Sequence, residues 1–234
     1  MEGMETLESV QREGRERLNP SVTNPSWLVL RKRREIFKNW IARVDGGPLD
    51  VLDVGGRIQP YRPLLDGRCR RYVSVDVRPT PLVNVVARGE QLPFADAKFD
   101  LVICSQVLEY IPDPSVVIGE IYRVLKPGGC VLLSAPAIFP RDSDLDTWRF
   151  LPEGLRILLS SFHSVEVAAE GSSVSGLFRT VCIFLSSLAR PAFVRNALKF
   201  SVIPILNLVA AAWDSSVRRA NDQFAANLSA FARK

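Results

Sequence analysis

LDVLDVGGRIQPYR, from Leu49 to Arg62, opens with a short apolar run and then turns at once through Gly55 and Gly56. A run of this length, rich in Val and Leu and closed by glycines, reads as a strand covered on both faces, the kind found in a parallel sheet. The glycines permit a tight turn and leave backbone atoms open to a ligand that side chains would otherwise shield. Working outward, comparable strands are expected at YVSVDV (Tyr72 to Val77), LVNVVA (Leu82 to Ala87), FDLVICS (Phe99 to Ser105), CVLLSAP (Cys130 to Pro136) and SVEVAAE (Ser164 to Glu170). Successive parallel strands require right-handed crossovers. The pattern predicts an α/β protein with a Rossmann-like, doubly wound, mostly parallel sheet whose core covers residues 48–170.

The intervening helices carry their own punctuation. Asp113 and Pro114 form a cap and first turn, Val117, Ile121 and Val124 or Leu125 share a face, and Lys126, Pro127, Gly128 and Gly129 end the element. Pro152 opens another helix with Leu155, Leu158, Leu159 and Phe162 at helical spacing. Ahead of the first strand, Ser26 is placed to cap a helix bearing Leu30, Phe37, Ile41 and Val44 on one face and Arg31, Lys32, Arg33 and Arg34 over the solvated one. Residues 1–24 read as a flexible segment, and 25–234 as the folded domain.

Beyond Gly176 the character changes. Leu177 to Trp213 is strongly apolar but interrupted by Arg179, Arg190, Arg195 and Lys199. Its longest uncharged stretch is broken by Pro204 and falls short of the roughly 20 residues of a spanning helix. A helical hairpin is expected inside an insertion of about residues 177–222, lying against the domain, on a membrane surface as a peripheral contact, or against a second copy of the chain. NLSAFARK then returns as a final antiparallel strand over about residues 227–233.

Composition narrows the function classes. With 234 residues, 47% hydrophobic and 24% charged, the chain has the usage of a globular domain and not of a disordered one. A formal charge of +5 favours anionic surfaces weakly, and without a basic, aromatic-rich groove no nucleic-acid partner is expected. Cys69, Cys104, Cys130 and Cys182 form no close pair, so neither zinc nor a disulfide framework is signalled. Met4 to Arg17 is polar where a signal peptide needs an apolar core, which points to a cytoplasmic protein, at most peripheral at a membrane.

In an open parallel sheet, ligands sit beyond the carboxyl ends of the strands, near the reversal of strand order. The full GxGxxG dinucleotide fingerprint is missing, because Arg57 and Gln59 stand where further glycines would admit a pyrophosphate. Asp76 ends the second strand 23 residues past Asp53, a spacing at which a carboxylate accepts both hydroxyls of a ribose; a turn or cap aspartate is the alternative. A glycine turn together with a strand-ending acid points to a nucleoside ligand without a pyrophosphate.

On these residues the chain resembles a class I S-adenosylmethionine-dependent methyltransferase of the small-molecule type. VLDVGG, VSVDV, GEQLPFADAKFDLVICSQVLEYIPDP and EIYRVLKPGGCVLLSAP follow in order, and DTWRFLPEGLRILLSSF is similar to a segment of members associated with glycan and cell-surface biosynthesis. The resemblance implies S-adenosylmethionine as cofactor. It implies that Asp53, Gly55 and Gly56 wrap the methionine part, that Asp76 holds the ribose, and that Val77 flanks the adenine. Gly89 and Glu90 would lie beside the adenine edge, and Cys104, Ser105 and Gln106 near the methionyl group. Departures are Arg57, Ile58 and Gln59 in the glycine motif, Arg88 in place of a frequent Asp, and Tyr110 in place of a frequent His, whereas Pro60, Tyr61 and Arg62 match a subgroup.

A methyl on a sulfonium is already activated, so orientation and exclusion of water are the main tasks of the protein. His163 precedes a strand at the end opposite the ligand edge and reads as a surface residue; a base, where one is needed, would be a carboxylate or a tyrosine. Tyr61, Asp146, Trp148 and Arg149 are the candidate substrate residues, with a solvated loop whose Trp and Arg pack inward as the alternative. Asp142, Asp144 and Asp146 alternate but lack accompanying ligands, so no metal site is expected. The expected reaction is transfer of the methyl to a small-molecule or glycan acceptor, lipid-linked if the insertion meets a membrane, at a hydroxyl oxygen. RNA or protein methylation, and a cofactor-binding scaffold without transfer, are the competing classes.

Overall fold

The computed structural model describes residues 5–141, 143–216 and 222–234. Its centre is a seven-stranded sheet with strands β1 (Leu49–Val54), β2 (Cys69–Asp76), β3 (Val85–Val86), β4 (Phe99–Ser105), β5 (Leu125–Pro136), β6 (Ser164–Ala169) and β7 (Asn227–Arg233). The order is β3-β2-β1-β4-β5-β7-β6. β1 through β5 are parallel to one another, and β7 runs antiparallel to both β5 and β6. The chain therefore steps outward one way from β1 to β3, and the other way from β4, so that the crevice between β1 and β4 is the switch point.

Strand side chains alternate between two cores. Leu52, Val54, Val102, Cys104, Val131 and Leu133 face one side, where α3 (Pro114–Val124) and α4 (Pro152–Leu158) contribute Val117, Ile121 and Leu155. Val51, Leu101, Ile103 and Leu132 face the other, where α2 (Trp27–Ala42) contributes Phe37, Trp40 and Ile41. Burial on both faces is why these strands read as continuous apolar runs.

Several sequence expectations change. Residues 7–18, expected to be flexible, form helix α1 (Leu7–Leu18), capped by Thr6, whose hydroxyl accepts from the Ser9 backbone N–H at 3.2 Å. The helix holds because Val10 and Leu18 bury, and Gly14 lies so close to the Ile58 carbonyl that a Cβ there would overlap it. The third strand shrinks to two residues. Ser26 makes no side-chain cap; its hydroxyl instead accepts from Arg179 Nε at 2.9 Å. Arg33 is not on the solvated face of α2 but 1% exposed, since it falls at helical spacing with Leu30 and Phe37.

The apolar insertion is three helices where a hairpin was expected: α5 (Ser173–Leu188), α6 (Ala192–Phe200) and α7 (Val202–Ser216). Gly176 lets α5 abut the Phe224 carbonyl, where a Cβ would overlap, and Asn207 ties α7 to the Val22 and Asn24 carbonyls at 2.7 and 2.9 Å. By length and composition Ala192–Asp214 is long and apolar enough to cross a membrane, despite Arg195 and Lys199 within it. The expected end of the insertion, near residue 222, falls beside residues 217–221, which lie outside the described residues, as does Asp142.

Candidate active site

At the carboxyl ends of β1, β2, β4 and β5 lies a cavity of about 820 Å³. Its lining brings together Asp53, Gly55, Asp76, Val77, Gly89, Glu90, Ser105 and Gln106 from the cofactor candidates, and Tyr61 and Asp146 from the substrate candidates. Gly56, Cys104, Trp148 and Arg149 are outside it.

The turn after β1 dictates the shape of the floor. Gly55 adopts φ of 75°, a conformation L side chains rarely take, and a Cβ there would overlap Val107. At Gly56 a Cβ would come within 2.8 Å of the Asp53 backbone oxygen. The Gly55 and Gly56 N–H groups both donate to the Val75 carbonyl, at 2.8 and 3.1 Å, locking the turn onto β2. Gln59 also sits at positive φ, 45°, and is held there by Nε2 donating to Ser74 Oγ and the Leu82 carbonyl. A left-handed residue is needed in this loop, and side-chain hydrogen bonds supply what glycine does elsewhere.

Asp53 is buried beneath the turn, and its Oδ2 accepts from the Tyr72 hydroxyl at 2.5 Å. Burial pushes its carboxyl up to about 7, with Tyr72 opposing and Asp76 adding to the rise. Burial likewise raises the Tyr72 hydroxyl well above its usual range. Asp76 closes β2, and its Oδ1 accepts from the Arg78 backbone N–H at 2.8 Å. Val77 beside it is exposed and lines the cavity. Glu90 pairs with Arg88 at 2.6 Å on the rim. Cys104 points into the core, where burial raises its thiol above the usual range.

The buried Ser105 hydroxyl has no hydrogen-bond partner among the described residues. An orphaned polar atom in a cavity wall is costly unless a ligand meets it. Next to it Gln106, at φ of 57°, has its carbonyl oxygen accepting from Asn227 Nδ2 at 3.0 Å and its amide donating to Ser134 Oγ at 3.3 Å. An open glycine turn, a rim carboxylate and an unmet hydroxyl fit an adenosyl cofactor with an amino-acid tail.

The second half of the cavity holds Tyr61, a substrate candidate, in a network the sequence did not indicate. Arg33 donates to Glu170 Oε2 from Nε and NH2, both at 2.8 Å, and to the Tyr61 hydroxyl at 3.2 Å. Burial opposes its charge, but Glu170 outweighs that and the guanidinium is held above its ordinary range. Glu170 Oε1 accepts from Ser134 and Ser229 at 2.5 and 2.7 Å. Tyr61 is therefore a buried wall residue whose ring packs tilted against Phe37, with its oxygen engaged by Arg33. Arg179 completes the wall. Only the apolar spacing around Arg33 hinted at this network, because Glu170, Ser229 and Arg179 meet through long-range packing.

Of the remaining substrate candidates, the Asp146 carboxylate is bonded to Arg149 at 2.5 and 2.6 Å. Arg149 also donates to the Phe139 and Pro140 carbonyls, and Trp148 Nε1 donates to the Ile111 carbonyl at 2.9 Å. These three hold the loop after β5 together. From the other side α1 covers the glycine turn, with Glu13, Glu16 and Arg17 in the lining, and Arg57 binds Glu5 and Glu13 at 2.7 and 2.5 Å. His163 is exposed at the start of β6, away from the cavity.

With this geometry in hand, the likeness to known proteins is specific. The family described as "Methyltransferase domain" matches residues 52–133. An uncharacterized methyltransferase of Mycobacterium sp. (strain KMS) is 37% identical over 98 residues, covering 38% of this chain and 39% of its own. The ubiquinone biosynthesis O-methyltransferase of Pseudomonas entomophila (strain L48) is 44% identical over 115 residues, covering 41% of this chain and 48% of its own. The chain thus spans less than half the length of these curated relatives. Among solved structures, the 1,6-didemethyltoxoflavin-N1-methyltransferase of Burkholderia thailandensis, with S-adenosylhomocysteine bound, superposes with a TM-score of 0.52 at 17% identity, covering 97% of this chain and 84% of that one. Residues 52–133 match the methyltransferase domain, and the chain shares the Rossmann-like fold of that solved methyltransferase.

Proposed function

We propose that this protein transfers the methyl group of S-adenosylmethionine to a small-molecule acceptor, at a hydroxyl oxygen. The observation that carries the reading is a single cavity with two halves. One half offers the glycine turn, Asp76 and the unmet Ser105 hydroxyl; the other offers a polar wall of Arg33, Tyr61 and Arg179, with Glu170 buried behind Arg33. An oxygen acceptor is supported by the likeness to the ubiquinone O-methyltransferase, and a glycan remains within the same class.

When bound, the cofactor supplies a methyl group already activated on a sulfonium. The residues of this chain then have three tasks. Gly55 and Asp76 fix the cofactor's pose, α1 and the loop after β5 exclude water, and the second half holds the acceptor hydroxyl in line with the methyl. Glu109, a buried carboxylate in the lining between the two halves, is our candidate to take the hydroxyl proton. Calorimetry with S-adenosylmethionine and S-adenosylhomocysteine tests the reading: low-micromolar binding of either is expected, and no heat with both sinks it. Glu109→Gln should lower turnover while leaving cofactor affinity unchanged.

A second proposal concerns the insertion. Leu177, Val181, Phe184 and Leu188 form an exposed stripe along α5, and Phe193, Phe200, Ile205, Leu208 and Trp213 are exposed on α6 and α7. From Ser173 to Trp213 there is no Asp or Glu, while Arg190, Arg195 and Lys199 are exposed. An apolar face studded with cations and free of acids fits the surface of an anionic bilayer. A lipid-linked acceptor would arrive on that face.

A further inference from the structure

Arg179 reaches from α5 into the cavity wall and is 8% exposed. Its Nε donates to Ser26 Oγ at 2.9 Å, one NH1 hydrogen goes to Asn227 Oδ1 at 2.5 Å, and the guanidinium lies 4.4 Å from the centre of the Phe139 ring. All of these partners are neutral. No ion pair joins Arg179 to any carboxylate among the described residues, and its NH2 group donates to none of their atoms.

The carboxylate nearest in kind is already committed. Glu170 gives Oε2 to Arg33 and Oε1 to Ser134 and Ser229, so two buried guanidinium groups share one negative charge. An unbalanced buried cation is strongly unfavourable in a protein interior. Burial and the neighbouring Arg33 push Arg179 down to about 9, so it still carries its proton at neutral pH. Of the other acids in the lining, Asp146 pairs with Arg149, Glu13 with Arg57 and Glu90 with Arg88, and none of the rest, Glu16, Asp53, Asp76 or Glu109, forms an ion pair with Arg179. The site is built for an anion that the protein does not itself supply.

Position says whose anion it is. Asp53, Gly55 and Asp76 sit at the ends of β1 and β2, whereas Arg179 is bound to Asn227, the first residue of β7, whose Nδ2 donates in turn to Gln106 beyond β4 at 3.0 Å. β7 lies two strands beyond β4, about 10 Å across the sheet at the usual strand spacing. That is the acceptor half of the cavity.

We infer that the acceptor carries an anionic group, a carboxylate or a phosphate, seated on the planar fork of Arg179. The inference rests on reading the cavity as a methyl-transfer site. A guanidinium is suited to this role because it presents paired donors to two oxygens of a carboxylate or phosphate at once.

The test uses the full chain saturated with S-adenosylhomocysteine. Sodium acetate and sodium phosphate are titrated separately to 50 mM at constant ionic strength, and the unfolding midpoint is followed for the wild type, Arg179→Gln, Arg179→Lys and the surface control Arg12→Gln. A saturable rise with at least one anion is expected in the wild type and in Arg12→Gln; it should vanish in Arg179→Gln and persist in reduced form in Arg179→Lys. Which anion responds decides between carboxylate and phosphate. S-adenosylhomocysteine should bind Arg179→Gln within about threefold of the wild type. No anion response in the wild type, or an equal one in Arg179→Gln, overturns the inference and leaves the methyl-transfer reading standing. A tenfold or greater loss of S-adenosylhomocysteine affinity in Arg179→Gln also overturns it, because the fork would then be holding the cofactor's own carboxylate. Failure of the wild type to bind S-adenosylhomocysteine removes both. Should Arg179→Gln not fold, Arg179→Lys decides: an anion response equal to the wild type's counts against the fork.

Discussion

The Tyr72 hydroxyl donates to Asp53 Oδ2 at 2.5 Å, beneath the glycine turn that ends β1. This single bond satisfies a carboxylate that the cofactor loop otherwise buries. It is too little to offset desolvation, so the Asp53 carboxyl rises to about 7. The native state then holds a proton that the unfolded chain has released above about pH 4, and stability falls as pH rises from about 4 to 7. Urea unfolding at pH 5 and 7 should show this decline, and Asp53→Asn should flatten it. A cationic ligand beside Asp53 prefers the ionised form, so S-adenosylmethionine should bind about tenfold tighter at pH 8 than at pH 6. The Asn variant should lose that dependence too.

Asp76 has a local role, accepting from the Arg78 N–H, and a proposed one on a ribose. Replacing it with Ala should cost less than about 1 kcal/mol of stability but weaken S-adenosylmethionine binding by about 1.5 to 3 kcal/mol. Calorimetry at fixed pH separates the two, and an unchanged affinity removes the ribose assignment.

Gly176 is where the apolar insertion docks on the chain entering β7. A methyl there would overlap the Phe224 carbonyl, and backbone cannot swing aside as a side chain does. Gly176→Ala should destabilise by about 1 to 3 kcal/mol. Gly154→Ala, in a helix with nothing within 4 Å of the added methyl, should be neutral or stabilising by up to about 1 kcal/mol. Equal unfolding midpoints for the two variants would contradict the packing described.

The cationic apolar face of α5 to α7 should sediment the protein with liposomes containing phosphatidylserine, and much less with neutral ones. Phe193→Ser together with Phe200→Ser should reduce binding severalfold without lowering cofactor affinity. Liposome binding retained in the double variant would remove this face from lipid contact, and a dimer that dissociates in that variant would assign the face to a second copy of the chain.

Strand runs such as Leu49–Val54 and Phe99–Ser105, the Asp113 cap of α3 and the final strand were legible in the sequence because hydrophobic period and turn residues act locally. The helix at residues 7–18 was not, since its polar surface hides how a few side chains and Gly14 fit against the loop after β1. Trp148 and Arg149 were weighed as ligand residues and are occupied with backbone carbonyls, a matter of contacts that spacing cannot express.

The sequence by itself determined where the central strands lie along the chain and that a glycine turn follows the first of them, because continuous apolar runs and glycine punctuation act over a few residues. Only the tertiary structure decided that Arg33 and Arg179, 146 positions apart, line one cavity, with Glu170 buried behind Arg33. The balance of charge in a cavity is a sum over groups that packing, and not neighbourhood in the chain, brings within range of one another.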